Sequence, residues 1–360
     1  MANLRDRLKR IHEQTKMQET CAISRSISGF LDSGWRLCAE NVLKRDVIKV
    51  MPFNTQKKIP PALAVLVPDL ANKNMPDYND FIFFDLETTG LSGGAGTIAF
   101  LAAFGKIINP DKLRVTQYLL LDYPGEPDFL DNILREFRDY AVIVTYNGKS
   151  FDSQILKTRC LMNGIKPPFY RHADLLHPSR RLWKKILADC SQASIEINVL
   201  GIERKDDISG SLAPEIWFEF LKTGITNRLT GICDHNINDI SGLCSILDKI
   251  ISIASNPLNQ KNKYDIERLA FKWRDFLRRK QVNDDYFILT GEKLLRFCAD
   301  KNYPKSVYIY GYDLMRKGNI KKSLKYVIKG LELFEEESIW HKKLLRRKEK
   351  LEKNINRLNL

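Results

Sequence analysis

The chain has 360 residues, 44% of them hydrophobic and 28% charged, with a net charge of +14, which is the make-up of a globular chain long enough for two or more domains. No apolar run reaches the roughly 18 residues a transmembrane helix needs, the N-terminus is charged without a signal-type apolar core, and the seven cysteines form no Cys-x-x-Cys pair. These features argue against a membrane protein, a disulfide framework and a zinc knuckle, and for reduced thiols in a cytoplasm.

In chain order, residues 1–30 read as an amphipathic charged helix followed by a Ser-rich stretch. A short β-like segment with Trp35 and the alternating run Val47–Val50 comes next. Residues 51–80 hold Pro52, Pro60, Pro61, Pro68 and Pro76, so they read as loop or linker, with a domain boundary near residue 75. From Phe81 the pattern becomes α/β. A buried strand over 81–86 leads through a Gly-rich turn (Gly90, Gly93, Gly94, Gly96) to strands over 98–108 and 113–121. A helix over about 127–140 and a strand over 141–146 follow. The order β-β-β-α-β resembles the ribonuclease H-like fold, in which the first and fourth strands lie side by side.

Residues 165–190 interleave Lys166, Arg171, His172, Arg180, Arg181, Lys184 and Lys185 with Tyr170 and Trp183. Such a segment suits phosphates and a stacked base; a solvated face with one aromatic in the core fits equally. A helix over 214–222 precedes a long one over about 226–254, and 255–262 is a polar linker. The remainder reads as helices. Within it, 318–333 is similar to the second helix of a tetratricopeptide repeat, with Ser323, Gly311 and Gly330 at the small positions. Residues 251–360 carry 26 Lys and Arg against 14 Asp and Glu. Nearly all the excess charge therefore lies here, which favours a polyanion partner over a merely solvated surface. The expected organisation is an N-terminal extension (1–75), a ribonuclease H-like mixed sheet flanked by helices (76–256) and a basic, all-α, tetratricopeptide-like domain (263–360).

The chemistry centres on a few acids. Asp85 and Glu87 end the first α/β strand two residues apart, so their carboxylates leave one face of the sheet and repel unless a cation joins them. A hard divalent ion takes such ligands; a solvated strand end is the alternative. After the strand over 141–146, Ser150 can cap the next helix and place Asp152 in its first turn, where an acid also fits the helix dipole. On the long helix, His235 and Asp239 are four apart and share a face.

Taken together, Phe84–Thr97 (Phe-Asp-Leu-Glu-Thr-Thr-Gly-Leu-Ser-Gly-Gly-Ala-Gly-Thr), Tyr146–Asp152, Asp174–His177 with Arg180–Trp183, Leu200–Arg204 and His235–Ile240 resemble the DEDD superfamily of 3′–5′ exonucleases, and more closely the YprB-type exonucleases with a ribonuclease H-like domain. The resemblance spans about residues 80–250. It implies a two-metal phosphodiesterase using Mg²⁺ or Mn²⁺. Asp85, Glu87 and Asp239 would hold the first ion. Asp85 would bridge to the second, with Asp152 beside it, and His235 would orient or deprotonate the attacking water. Thr88 and Leu91 would contact the terminal nucleotide, and Asn147, Lys149, Arg180 and Arg181 the nucleic acid, DNA or RNA. One departure stands out. The superfamily usually places His five residues, or Tyr four, before the last Asp, and here His235 takes the tyrosine spacing, with Asp234 as a further candidate.

Two other functions fit the same residues. One is a ribonuclease H-like activity selective for RNA or hybrid structure. The other is a nucleic-acid-binding or scaffold protein with a vestigial site, its helical repeat recruiting a protein partner.

Overall fold

The structure, a computed structural model, describes residues 30–51, 58–71, 75–90, 96–137, 142–205, 207–259, 263–280 and 284–358. The helix expected before residue 30, together with Leu91, Gly93 and Gly94 of the Gly-rich turn, lies outside them. Two compact units divide the chain: residues 1–178 with 190–252, and residues 179–189 with 253–360. No helix among the described residues is long and apolar enough to cross a membrane.

The first unit is built on β1 (Arg36–Ala39), β2 (Val42–Val50), α1 (Leu63–Leu66), β3 (Phe81–Thr88), β4 (Ala99–Asn109), β5 (Lys112–Leu120), α2 (Glu126–Glu136), β6 (Val142–Thr145), α3 (Asp152–Met162), β7 (Arg171–Asp174), the start of α4 (Leu176–Trp183), α5 (Gln192–Ile195), α6 (Ala213–Thr223) and most of α7 (Asn227–Ser255); α4 passes into the second unit at Ser179 and α7 at Ile253. Its seven strands form one sheet in the order β1-β2-β5-β4-β3-β6-β7. β3, β4 and β5 are an antiparallel meander, and β6 lies parallel beside β3, the adjacency expected of the first and fourth core strands.

Residues 36–50, expected in a separate extension, belong to this sheet. β2 pairs with β5 along its whole length, from Val42 opposite Leu120 to Val50 opposite Lys112, covering an edge that would otherwise stand unpaired. The prolines of 60–68 punctuate short helical turns around α1, whose four residues are all buried, so this stretch is packed chain rather than a linker. β7, α4 and α5 were not read from sequence because their apolar residues are too few to set a period.

β3 is apolar without alternation because it is a central strand covered on both faces. Phe81, Phe83 and Phe84 are fully buried, each worth about 1.5–3 kcal/mol. On one face Phe84 stacks on Phe104 with centroids 5.0 Å apart and meets Phe137 at the end of α2. On the other face Phe83, Asp85 and Glu87 look toward α7. The close approach of α7 depends on Gly105, the β4 partner of Phe83. A Cβ there would run into Ile240 Cγ2 of α7 and lie 3.2 Å from Phe83 Cβ.

The second unit adds α8 (Ile266–Lys280), α9 (Asp285–Asp300), α10 (Pro304–Arg316), α11 (Ile320–Leu333) and α12 (Ile339–Leu358), each packed on its sequence neighbour. Ser323 Oγ donates to the Gly311 carbonyl at 2.7 Å, and Gly330 lies against Leu344, so small residues do sit where these helices cross. Trp183 belongs to this unit and is buried, its indole N–H donating to the Lys263 carbonyl at 3.1 Å. In the first unit Tyr170 stacks on Phe137. Tyr170 and Trp183 are therefore packing residues, whereas Phe169 of the same segment is fully exposed. A Trp among cations carries a large apolar body, and here its burial decided.

Candidate active site

Asp85 and Glu87 project from the end of β3 on the α7 side. Asp152 opens α3; its own amide and that of Leu86, between the two β3 acids, lie against its carboxylate. Ser150 is not the cap. The residue before the helix is Phe151, without a side-chain cap, and the turn from β6 is held by Asp174. Its buried carboxylate accepts the N–H groups of Asn147 (2.8 Å), Lys149 (3.1 Å) and Leu176 (3.0 Å). Asp174 thereby fixes where α3 begins, and with it Asp152.

These carboxylates crowd one another. Burial, then Asp239, Asp152 and Glu87, push Asp85 well above the usual carboxylate range, with a hydrogen bond from Asn236 opposing. Burial and Asp239 push Glu87 up to about 8 against the pull of His235. Burial, with Asp174 and Asp239, pushes Asp152 up to about 7 against the two backbone amides.

α7 brings the other half. Ligand atoms of Glu87, His235 and Asp239 all lie within 4.8 Å of one another. His235 Nε2 is 3.1 Å from Asp239 Oδ2 and its Nδ1 is 2.9 Å from Asp207 Oδ2. Burial would lower this imidazole, but Asp239, Asp207 and Glu87 raise it to about 9. Arg204 clasps buried Glu196 through two bonds of 2.7 Å and donates to Asp239 Oδ1 at 2.8 Å and Asp207 Oδ2 at 3.2 Å. Burial would raise Asp239, yet His235 and Arg204 hold it below its usual value. Glu196 reaches this position because residue 242 of α7 is glycine; any Cβ there would collide with its Oε1.

The donor set fits hard divalent cations: carboxylates and one imidazole, with three acids raised by burial and by their acidic neighbours. The tightest trio pairs His235, rather than Asp85, with Glu87 and Asp239, while Asp85 and Asp152 stand next to it.

The expected substrate contacts are scattered. Thr88 is buried and donates to the Gly90 carbonyl at 2.9 Å. Asn147 holds the turn in a left-handed conformation, φ 63°. Lys149 Nζ pairs with Asp69 at 2.8 Å. Arg180, exposed, and Arg181, half-buried, lie in the helical unit; Leu91 lies outside the described residues. Asp234 pairs with Arg45 at 2.9 Å and its side chain is 62% exposed, so it serves Arg45 rather than the cluster. Sequence reasoning missed Glu196, Asp207, Asn236 and the role of Arg204. A signal existed for Asn236 alone, which fills the gap in the apolar stripe Ile232, Ile240, Leu243.

The strand order is that of a ribonuclease H-like fold. Residues 82–251 match the family RNase_H_2, described as RNase_H superfamily. The chain is also similar to the YprB protein of Bacillus subtilis (strain 168), itself described as uncharacterized, with 37% identity over 212 residues, 57% of this chain and 49% of that protein. The chain thus spans about half the length of this curated relative. Among solved structures, a family B DNA polymerase from the archaeon Pyrobaculum calidifontis superposes with TM-score 0.38 at 15% identity, covering 58% of this chain and 30% of that one. Exonuclease I in an SSB-Ct complex does so with TM-score 0.29 at 18% identity, covering 44% and 43%.

Proposed function

We propose that the sheet unit is a metal-dependent nuclease, in the first place a 3′–5′ exonuclease that hydrolyses phosphodiester bonds of DNA or RNA. One observation carries this reading: Asp85, Glu87 and Asp152 converge from β3 and α3 and are all pushed upward by burial and by neighbouring acids. Such a cluster costs free energy unless a cation joins it. Asp85, Glu87, Asp152 and Asp239 would hold the ions, two Mg²⁺ or Mn²⁺. Bound there, they would supply a polarised phosphate, an activated water and a stabilised leaving oxygen.

The chain's own groups do the rest. Asp207 fixes the His235 ring through Nδ1, which leaves Nε2 as the atom that takes a proton. The field that raises His235 comes from the acids, and a bound cation would oppose that field, so more of the imidazole would be neutral and able to accept a proton when the site is loaded. Arg204 donates to Glu196, Asp207 and Asp239 and so keeps the three carboxylates aimed. The helical unit, rich in Lys and Arg, is the proposed holder of the nucleic-acid strand.

The alternative, a binding protein with a vestigial site whose helical repeat recruits a protein partner, draws on one specific contact: both oxygens of Asp239 are engaged by internal cations. Cleavage of end-labelled single-stranded and duplex DNA and RNA separates the two. Mg²⁺ or Mn²⁺ should shorten 5′-labelled strands stepwise, and Asp85→Ala should reduce this to background. Failure of either metal to give cleavage that Asp85→Ala removes would sink the nuclease reading. His235→Gln should slow the reaction by about 10²–10⁴-fold while leaving Mn²⁺ binding measurable by calorimetry.

A further inference from the structure

Four residues face one another across the sheet in strict register. Arg45 of β2 pairs with Gln117 of β5, Gln117 with Ala103 of β4, and Ala103 with Asp85 of β3. Paired residues point to one side of a sheet, so this row runs from the first unit's added strand to Asp85. Ala103 is the gap in the row. A methyl group leaves a space between Gln117 and Asp85, and Asn236 of α7, fully buried, reaches down into it.

The hydrogen bonds along the row have a direction. Arg45 Nε donates to Gln117 Oε1 at 2.7 Å, and a guanidinium can only donate. Gln117 must therefore present its oxygen to Arg45 and its amide nitrogen the other way. That nitrogen donates to Asn236 Oδ1 at 2.8 Å and to the Cys233 carbonyl at 2.8 Å. Asn236 in turn must present Nδ2 to the sheet, and it donates to Asp85 Oδ2 at 2.8 Å. The guanidinium itself is pinned: it lies over the Trp35 ring, 4.7 Å from the centroid, and pairs with Asp234. Arg45, Gln117 and Asn236 are 6%, 0% and 0% exposed, so water does not compete at any link.

We propose that Arg45, Gln117 and Asn236 form a one-way hydrogen-bond relay that positions the Asp85 carboxylate for metal binding. The proposal rests on the nuclease reading above. In it, Oδ2 of Asp85 is held by a neutral donor whose polarity cannot reverse, which fixes the carboxylate's rotation and leaves Oδ1 for a cation. All three are positioning residues; none touches the reacting atoms. β2 thus belongs to the apparatus of the site as well as to the sheet.

The test is calorimetric titration of the full chain with Mn²⁺, without nucleic acid, beside thermal melting. Asn236→Leu removes the donor to Asp85. Gln117→Glu keeps size and still accepts from Arg45 but has no N–H to pass on, so Asn236 must turn its oxygen toward Asp85. Each should weaken Mn²⁺ binding by about 10–100-fold, the usual effect of losing an outer-shell partner. In the Asn236→Leu background, Gln117→Glu should change affinity by no more than about twofold, because the relay is already cut. A residue that merely fills space at 117 would leave Mn²⁺ binding unchanged in the single variant as well. Should Asn236→Leu fail to melt cooperatively, Asn236→Ser, too short to span Gln117 and Asp85, carries the same expectation. Wild-type binding with every variant within about threefold of it overturns the relay and leaves the nuclease reading standing. A wild type that neither binds Mn²⁺ nor cleaves overturns both.

Discussion

The two sides of the acid cluster are neutralised in opposite ways. On the sheet side, Asp85, Glu87 and Asp152 face each other, and what opposes their repulsion among the described residues is one Asn amide, two backbone amides and the pull of His235 on Glu87. On the α7 side, Asp239, Asp207 and Glu196 share Arg204 and His235, and Asp239 falls below its usual value. One side lacks a cation and the other carries its own. The first side is therefore where an external ion gains most. The second is a preformed frame whose three carboxylates already share two internal cations, and it sets the geometry into which the ion comes.

The comparison can be broken most severely at Arg204. Arg204→Met strands Glu196 in the interior and should cost about 3–5 kcal/mol, as loss of one partner of a buried pair does. Chemical denaturation would measure it, and a loss comparable to that of an exposed pair, about 0–1 kcal/mol, would mean the α7 side is not built around this guanidinium. The sheet side should behave oppositely. Asp85→Asn relieves repulsion and should raise the metal-free melting temperature while abolishing metal-dependent cleavage.

Metal and pH probe the same asymmetry more gently. Folded-state values of about 7 for Asp152 and about 8 for Glu87 exceed their ordinary values of 3.8 and 4.5. A raised carboxylate keeps its proton on folding, so its contribution is full below the unfolded value and is lost as pH rises through the folded one. His235, raised to about 9 from 6.5, acts in the same direction. His172, which burial pushes down to about 4 from 6.5 against Asp174, opposes this trend below pH 6.5. From about pH 6.5 to 8 the metal-free melting temperature should therefore fall. Mg²⁺ at about a hundred times its pH 6.5 dissociation constant should restore about 2.7 kcal/mol at that pH, and the same concentration should restore more at pH 8. Melting curves insensitive to both pH and Mg²⁺ would remove the asymmetry. The smallest expected effect is at Gly242. Gly242→Ala pushes Glu196 off α7 and should cost about 1–3 kcal/mol, read by denaturation, with Mn²⁺ affinity changing less than it does in Asp85→Asn.

Much of this was legible in the chain. The meander, the β6 strand and α7 follow from apolar runs and period, and Asp85, Glu87, Asp152, His235 and Asp239 follow from their order on those elements. Their convergence needed no partner outside the family of local signals: i and i+2 on a strand, the first turn of a helix, i and i+4 on another. The residues that escaped notice are those whose role is a contact made at long range. Glu196, Arg204 and Asp207 lie on a π-turn and the loop after it, without periodicity to mark them. Arg45 and Gln117 look like ordinary strand polars until the register is known.

By itself, then, the sequence determined which residues end strands and open helices, because backbone geometry ties side-chain direction to spacing along the chain. Tertiary structure alone decided which of those residues find a partner. Arg45 could have been a surface cation of a separate extension. It became the first donor in a line to Asp85 because β2 pairs with β5 in the one register that sets it opposite Gln117, and because Ala103 leaves room for Asn236 to complete that line. Register, helix approach over Gly105 and burial are properties of the packed sheet, and they set the charge state of the acids that the sequence merely supplied.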